Sequence, residues 1–461
     1  MTAITYSAVL GVCLLALLVR CAISLHGYSG AGQPPMYGDY EAQRHWMEIT
    51  FNLPISEWYH NTTNNDLMYW GLDYPPLTAY HSWLCGYAAN LFNTSWVKLF
   101  QSRGIETQEH KFFMRLTVLF ADVLVFFPAV FVYFTKCSLN YKQMELYHAV
   151  PFFCYLLGSC FYGRGFPMWK LVKLGLVTIL TFALCWLPFL QSTQSAKQVL
   201  HRLFPFARGL YEDKVASLWC TLSLVIKFKE ILSSDSLVKL CLFTTSIALL
   251  PSSLHLLFKP TKRNLSISLV NVSLVFFLFS FQVHEKSILI PAISVCALLP
   301  YYPFACMWFL IISVFSMVPL LARDGLLLPT IATSVMFFLA TCSLSECHKP
   351  ATPDRKPSRQ SVTQRQFSFV FWPEDIVVVS VFLLSMIGIF VLGLFHLRMK
   401  PPSDLPHIYP ALIGAYSCAH FVMFLMFFHW KQFFSQEDIA PSKPTRSSQY
   451  STIHHNMKKH N

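Results

Sequence analysis

The sequence is poor in charged side chains. Only 13% of its 461 residues are Asp, Glu, Lys or Arg, whereas soluble domains carry about a quarter. Hydrophobic residues make up 54% of the chain. This balance argues against a set of soluble domains and predicts an integral membrane protein.

Clusters of metal ligands are missing as well. The 14 Cys residues are scattered, many of them within apolar runs, with no CxxC pair and no His/Cys spacing typical of a zinc site. We interpret most of them as reduced, buried, small hydrophobic residues, and we predict no metal site.

Acidic residues are fewer than basic ones, which leaves a net charge of +12. Such a charge could indicate a nucleic-acid partner, but the basic residues stand in short clusters between apolar runs. That distribution is typical of the cytosolic loops of membrane proteins. We therefore predict contact with membrane lipid and not with nucleic acid.

Long apolar runs, in contrast, are abundant. A membrane-spanning helix needs about twenty apolar residues, and the predicted fold class is all-α, a polytopic transmembrane helical protein. The candidate spans are 4–25, 112–135, 143–161, 172–191, 237–258, 264–282, 287–300, 301–322, 325–345, 374–397 and 409–429.

Polar stretches between these runs define the predicted organisation. A large first loop covers 26–111, a second covers 192–236, and the Lys, Arg, Pro, Ser and Gln residues of 346–370 indicate a cytosolic linker. The predicted regions are a membrane module over 1–345, the linker over 346–370, C-terminal transmembrane helices over 371–430 and a cytosolic tail over 431–461.

The sidedness of the loops follows from short signals. Glycosylation sequons at Asn61 and Asn93 predict a lumenal first loop, while Lys458 and Lys459 resemble a dilysine retrieval signal, which requires a cytosolic C-terminus. Counting spans forward from the first loop places 136–142 in the cytosol. Counting back from a basic cytosolic loop at 163–173 places the same residues in the lumen, so either one run does not span or an odd number of helices is missing here.

Four stretches carry a family resemblance: YSGAGQPPMYGDYEAQRHWMEITFNLPISEWY, YWGLDYPPLTAYHS, RLFPFARGLYEDKVASLWC and FFLFSFQVHEKSILI. In this order they resemble the dolichyl-phosphate-glucose-dependent α-1,3-glucosyltransferases of the endoplasmic reticulum, in particular those that add the first glucose to lipid-linked Man9GlcNAc2. The resemblance implies a GT-C glycosyltransferase fold with large lumenal loops, a lumenal active site, two dolichol-linked substrates and no cofactor.

One departure from the family pattern is large. Members of the family carry about fifty further residues before NYKQMELY, including additional spans of about twenty residues each. In this chain FVYFTKC runs almost directly into SLNYKQMELYH. The gap falls where the count of spans fails, so the sequence predicts that an internal segment is missing near 137.

The implied chemistry inverts the anomeric centre, and it needs one base to take the proton of the acceptor hydroxyl. Asp39 in GDYEAQRHW is the predicted base, because Gly38 lets the backbone turn tightly near the lumenal end of the first span. Asp73 in GLDYPP is the alternative base or a substrate contact, and its prolines equally fit a structural turn.

Three neighbours of Asp39 are predicted substrate contacts. Arg44 and His45 are expected to contact sugar or phosphate, since a lumenal membrane face that handles anions needs fixed cations. Glu41 is a further candidate, with an ordinary helical pairing to Arg as the alternative.

Other cations are predicted to contact substrate from later parts of the chain. His284 and Lys286 follow an apolar run at the depth of a lipid phosphate, although a charged trio there also fits a helix flank. Arg208 in the second loop is predicted to contact substrate in a similar way.

Rival hypotheses remain open at this point. The chain could be an inactive or unstable isoform that keeps substrate-binding pieces without a complete site. It could also transfer the second glucose, or be a transporter, since polar residues among membrane helices also mark substrate paths.

Overall fold

The computed structural model describes residues 3–126, 146–162, 167–203, 215–281, 283–346 and 375–434. Within these ranges the regular elements are helices and no strand occurs, which confirms the all-α fold. The α-helices described are α1 Ala3–Ile23, α2 Gly38–Asn52, α3 Pro76–Phe92, α4 Gln108–Ala121, α5 Leu146–Phe161, α6 Met168–Trp186, α7 Thr193–Leu203, α8 Leu218–Leu222, α9 Phe228–Ile231, α10 Ser234–Phe258, α11 Lys262–Phe279, α12 Leu289–Cys296, α13 Pro303–Ser316, α14 Val318–Arg323, α15 Leu327–Glu346, α16 Ile376–Arg398 and α17 Ile408–Phe434.

Several of these helices are long and apolar enough to cross a membrane. The described residues contain five of them: α6 with its terminal turn, α10, α11, α16 and α17. Each coincides with a predicted span, so the multi-pass architecture is confirmed. Shorter apolar helices occupy four other predicted runs, in α1, α5, α13 and α15.

The run over 287–300 does not form a span of its own, and the prediction that it crosses the membrane is wrong. It consists of the 3₁₀ turn Glu285–Ile288, the eight-residue α12 and a short tail. Eight residues rise only about 12 Å, against a hydrocarbon core of about 30 Å. Ile288, Val295 and Leu298 are fully buried, so the apolar character of the run reflects packing inside the protein.

The centre of the membrane bundle is α11, of whose apolar window 72% is buried. Phe309 of α13 packs its ring against Phe421 and Phe424 of α17, with ring centroids 5.6 and 5.3 Å apart. Since α13 precedes the predicted linker and α17 follows it, helices on both sides of the linker share one hydrophobic core. Most of the linker, the tail beyond Phe434 and residues 136–142 lie outside the described residues.

The first polar loop folds into a helical layer, which we call the loop layer (residues 38–106). Its helices α2 and α3 approach closely at Gly86, where a Cβ would lie only 2.7 Å from the Met47 carbonyl oxygen. Trp58, Leu72 and Phe189 belong to an apolar cluster beneath α2. This packing gives α2, which carries GDYEAQRHW, a fixed orientation.

Candidate active site

Two predicted site residues from distant parts of the chain meet in the structure. Lys286 Nζ donates a hydrogen bond to Asp39 Oδ2 at 2.6 Å, across 247 residues of sequence. Both side chains are exposed, with 65% of the Asp39 and 47% of the Lys286 surface accessible. The pair therefore joins the loop layer to the segment that follows α11, and it is open to a ligand.

The backbone before Asp39 is held by two glycines. Gly30 and Gly38 both have positive φ angles, 79° and 69°, which side chains rarely allow. A Cβ on Gly30 would lie 2.4 Å from the Gly38 nitrogen, and one on Gly38 would lie 2.3 Å from the Ser29 carbonyl oxygen. This contact of two backbone segments sets the first turn of α2 and hence the position of Asp39.

Lys286 and His284 lie in a short turn after α11. His284 caps the 3₁₀ turn, since its Nδ1 accepts a hydrogen bond from the Lys286 backbone N–H at 3.1 Å. The turn presents the His284 and Lys286 side chains to the exterior. The Lys286 ammonium group thus stands beside the Asp39 carboxylate, with the exposed His284 two residues away in the same turn, an arrangement that suits an anionic ligand.

Asp73 lies in the same neighbourhood, on the loop that leads into α3. Arg202 of α7 donates to the Gly71 and Leu72 carbonyl oxygens at 2.8 and 3.2 Å, which fixes this loop. Burial raises the pKa of Tyr74, the carboxylates of Asp73 and Asp39 raise it further, and Lys286 opposes them. Both candidate acids therefore lie within electrostatic reach of Tyr74.

Glu41, Arg44 and His45 form a separate, buried group on the other side of α2. Arg44 has no accessible surface, and its guanidinium donates to both Glu41 oxygens at 2.6 and 2.8 Å and to Glu48 Oε2 at 2.6 Å. His45 Nδ1 lies 3.3 Å from the same Glu48 oxygen. The helical pairing considered for Glu41 is present, but inside the protein.

Glu48 is the member of this group that the sequence analysis missed. Burial raises its pKa, but the hydrogen bond from His45 and the charge of Arg44 outweigh burial and lower it to about 2. Ser102 completes the network by accepting from Arg44 Nη1 at 2.6 Å and donating to Glu48 at 3.1 Å. The spacing of Arg44 and Glu48, four residues apart, was the available signal.

The remaining predicted residues do not join these groups. Arg208 lies outside the described residues. Asn61 and Asn93 are exposed on the loop layer, so both sequons are accessible. Within the described ranges, no three His, Cys, Asp or Glu side chains come together in a way that could hold a metal ion.

A multi-pass helical bundle with an exposed acid–cation pair between it and a helical loop layer defines the class as an integral membrane protein with a candidate site at the edge of the bundle. Comparison with known families identifies the kind of membrane protein. The chain belongs to the ALG6, ALG8 glycosyltransferase family, whose profile matches residues 15–138 and 132–427.

Curated relatives from several kingdoms resemble nearly the whole chain. The chicken dolichyl pyrophosphate Man9GlcNAc2 alpha-1,3-glucosyltransferase is 44% identical, covering 90% of this chain and 94% of its own length. The probable enzymes of the same name from Drosophila melanogaster and Arabidopsis thaliana are 39% and 37% identical, each covering 93% of this chain and 99% and 90% of their own lengths.

The comparisons also mark a discontinuity. The two pieces of the family match meet at residues 132–138. The chicken alignment extends over 482 positions although it includes only 90% of the 461 residues of this chain, so the relative has residues without a counterpart here. That an internal segment is missing near 137 stays a prediction.

Proposed function

We propose that this chain transfers the first glucose from dolichyl phosphate glucose to Man9GlcNAc2-PP-dolichol, in α-1,3 linkage, during assembly of the N-glycan precursor. The name shared by the relatives supports the acceptor and the linkage. The observation that carries the proposal is the exposed Asp39–Lys286 pair, because it brings a potential base next to a cation suited to a phosphate.

In the proposed reaction, Asp39 accepts the proton of a mannose 3-hydroxyl while the hydroxyl oxygen attacks C1 of glucose. The bond between C1 and the phosphate oxygen breaks, and its electron pair leaves with dolichyl phosphate. Attack from the face opposite the leaving group converts the β-linked donor into an α-linked product.

Lys286 has a double role in this proposal. Without substrate it pairs with Asp39. A donor phosphate would compete for its ammonium group through charge-assisted hydrogen bonds, and Asp39 would then be released to act as the base. His284, two residues away, is assigned to the same phosphate.

The other predicted residues take supporting roles. Glu41, Arg44 and His45 are assigned to positioning, because Arg44 already donates to Glu41, Glu48 and Ser102 inside the protein. Asp73 is the alternative base. Arg208 stays a proposed substrate contact from the second loop.

We further propose that the protein resides in the endoplasmic reticulum membrane, with the loop layer and the site lumenal and the C-terminus cytosolic. The exposed sequons at Asn61 and Asn93 support this orientation. Expected results are glycosidase-sensitive mass at one of these residues and a protease-accessible tail in sealed microsomes. A protected tail would contradict the orientation.

The transfer itself is tested with radiolabelled dolichyl phosphate glucose and lipid-linked Man9GlcNAc2 in membranes from a strain deficient in this glucosyltransferase. The expected product is Glc1Man9GlcNAc2-PP-dolichol, with no transfer from dolichyl phosphate mannose. Transfer onto Glc1Man9GlcNAc2-PP-dolichol instead would identify the second-glucose reaction.

An inactive isoform is the second candidate, and the discontinuity at 132–138 favours it. Its test is a chain into which the corresponding segment of the chicken relative is inserted at 137. Transfer by the restored chain alone would establish inactivity, whereas equal transfer by both chains would show that the segment is dispensable.

A further inference from the structure

The loop after α3 carries an exposed aromatic ring and a cation that the proposed reaction does not use. Phe100 is 46% exposed, and its φ of 63° lies in the left-handed region, which is a genuine outlier for a bulky residue. The Arg103 guanidinium lies over the Phe100 ring at 5.2 Å and over the Tyr69 ring at 4.4 Å.

The buried network of α2 holds this loop in place. The Phe100 backbone N–H donates to Glu48 Oε1 at 2.7 Å, and the Ser102 hydroxyl is bonded to both Arg44 and Glu48. A strained backbone persists only where its surroundings over-determine it, and such positions cluster at ligand sites. The network therefore keeps the Phe100 ring at the surface.

Arg103 has no acidic partner within the described residues. Its side chain makes the two ring contacts, and its buried Nε finds no hydrogen-bond acceptor. A guanidinium has five N–H donors, so the Arg103 Nη groups keep donors that the two ring contacts do not use.

The surroundings favour a neutral acceptor. Two buried carboxylates contact this surface: Glu48 accepts from the Phe100 backbone N–H, and Glu41 accepts from the Tyr69 hydroxyl under Arg103 at 2.8 Å. Since Arg44 offsets only one of the two negative charges, the remaining charge disfavours a phosphate at this surface. The hydroxyl groups of a sugar can accept from Arg103 without adding charge.

We propose that Phe100 and Arg103 form a second carbohydrate subsite, which binds a mannose residue of the acceptor oligosaccharide away from the reacting hydroxyl. The aromatic ring would pack against the C–H face of the sugar, and the guanidinium would donate to its hydroxyl groups. This combination of an exposed ring and unused donors is the physical basis of the assignment.

The distance from the reaction centre identifies the acceptor as the ligand. Glu48, which accepts from the Phe100 backbone N–H, follows Asp39 by nine residues, or about 14 Å along α2, and lies on the opposite face, so the two places are separated by more than this rise. A branched oligosaccharide spans that distance, whereas the single glucose of the donor does not. The choice of mannose rests on the proposed function.

The test measures binding of the free Man9GlcNAc2 oligosaccharide to the purified full chain in lipid nanodiscs. Phe100→Ala and Arg103→Gln should each raise the Kd about fivefold to tenfold, the effect of losing one partly exposed contact. Matched controls are Phe92→Ala, an exposed ring at the end of α3, and Lys98→Gln, an exposed cation of the same loop. Both controls should bind as the unchanged chain does.

Folding is monitored by thermal unfolding, and Phe100→Leu separates ring stacking from apolar packing. We expect Phe100→Leu to unfold at the same temperature as the unchanged chain but to bind the oligosaccharide more weakly than the unchanged chain does. Full affinity in Phe100→Leu and Arg103→Gln, or no binding by the unchanged chain, would overturn the subsite.

Transfer assays run in parallel distinguish the two proposals. The subsite predicts a raised KM for lipid-linked Man9GlcNAc2 in both variants and an unchanged KM for dolichyl phosphate glucose. Binding that depends on Phe100 in a chain without transfer would support the subsite while contradicting the proposed activity. Transfer in which both variants keep the acceptor KM of the unchanged chain would support the proposed activity and contradict the subsite.

Discussion

The two faces of α2 carry similar residue types in opposite environments. On one face, Glu41, Arg44 and Glu48 have no accessible surface and saturate one another with short hydrogen bonds. On the other, Asp39 is two-thirds exposed and meets one cation, Lys286.

This contrast separates structure from chemistry on a single helix. A buried, fully bonded ion network resists change, because removing one member leaves an uncompensated charge in a medium of low polarity. An exposed pair contributes little to stability, so a substrate can displace it. The proposed proton transfer therefore belongs to the exposed face, whereas the hydrogen bonds of the buried face hold the loop layer.

The largest expected effect is on catalysis at the exposed face. In a chain that transfers glucose, Asp39→Asn should lower the rate by about 10²–10⁴, because the amide keeps the shape of the side chain but cannot accept a proton. The measurement is radiolabelled glucose transfer normalised to folded protein. Asp73→Asn is the matched variant, and loss of transfer there with activity kept in Asp39→Asn would move the base to Asp73.

The next largest effect is on stability at the buried face. Arg44→Met should destabilise the protein by about 3–5 kcal/mol, since Glu41 and Glu48 would stay buried without their guanidinium partner. Thermal unfolding in detergent measures this loss. Gln43→Met, on the exposed side of the same helix, is the control and should change the free energy of unfolding by less than about 0.5 kcal/mol. Equal losses of stability in both variants would show that the buried and exposed faces of α2 do not differ in their contribution to stability.

The buried side should also respond to acid. Burial and the charge of Arg44 lower the pKa of His110 from 6.5 to about 4, so the unfolded chain binds more protons between these values. Unfolding free energy should therefore fall as pH drops from 6.5 to 4, by about 2 kcal/mol between pH 7 and pH 5. Glu48, with its pKa lowered from 4.5 to about 2, extends the loss below pH 4.5.

Substitution of the histidine isolates its contribution. Melting temperatures of His110→Asn should depend less on pH between 7 and 5 than those of the unchanged chain. His81→Asn, at an exposed histidine of α3, is the control and should leave the pH dependence as it is. Identical pH profiles for all three proteins would contradict the role of His110.

The smallest effect is on stability at the exposed pair. Lys286→Met should change the free energy of unfolding by less than about 1 kcal/mol, while raising the KM for dolichyl phosphate glucose if Lys286 binds the donor phosphate. A large drop in melting temperature would show that the pair is structural, and an unchanged donor KM would separate Lys286 from the donor.

Much of the fold could be predicted because the length of each apolar run can be read directly from the sequence. Each of the five helices long enough to cross a membrane was visible as an apolar run. The failure at 287–300 has a physical reason: burial within a protein and insertion in lipid select the same apolar side chains. Helix α2 was harder to predict, since its polar face is buried against loops rather than exposed.

The site was predictable in part. GDYEAQRHW and HEK were recognised as chemically dense segments, and the structure joins them through Asp39 and Lys286. Their pairing was not predictable, because nothing in either segment encodes contact with the other. Phe100 and Arg103 escaped notice since neither is unusual until the loop places the guanidinium over two rings.

The sequence by itself determined a multi-pass helical membrane protein, its family and the candidate acids for proton transfer. Composition, the length of apolar runs and extended motifs can all be read from neighbouring residues of the chain. Only the tertiary structure decided which acid of α2 is exposed and which is buried. That choice depends on how α3 and the loops around 70 and 100 pack against the helix. Accessibility arises from those long-range contacts, and accessibility separates Asp39, the proposed base, from Glu41 and Glu48, which are buried and paired with Arg44.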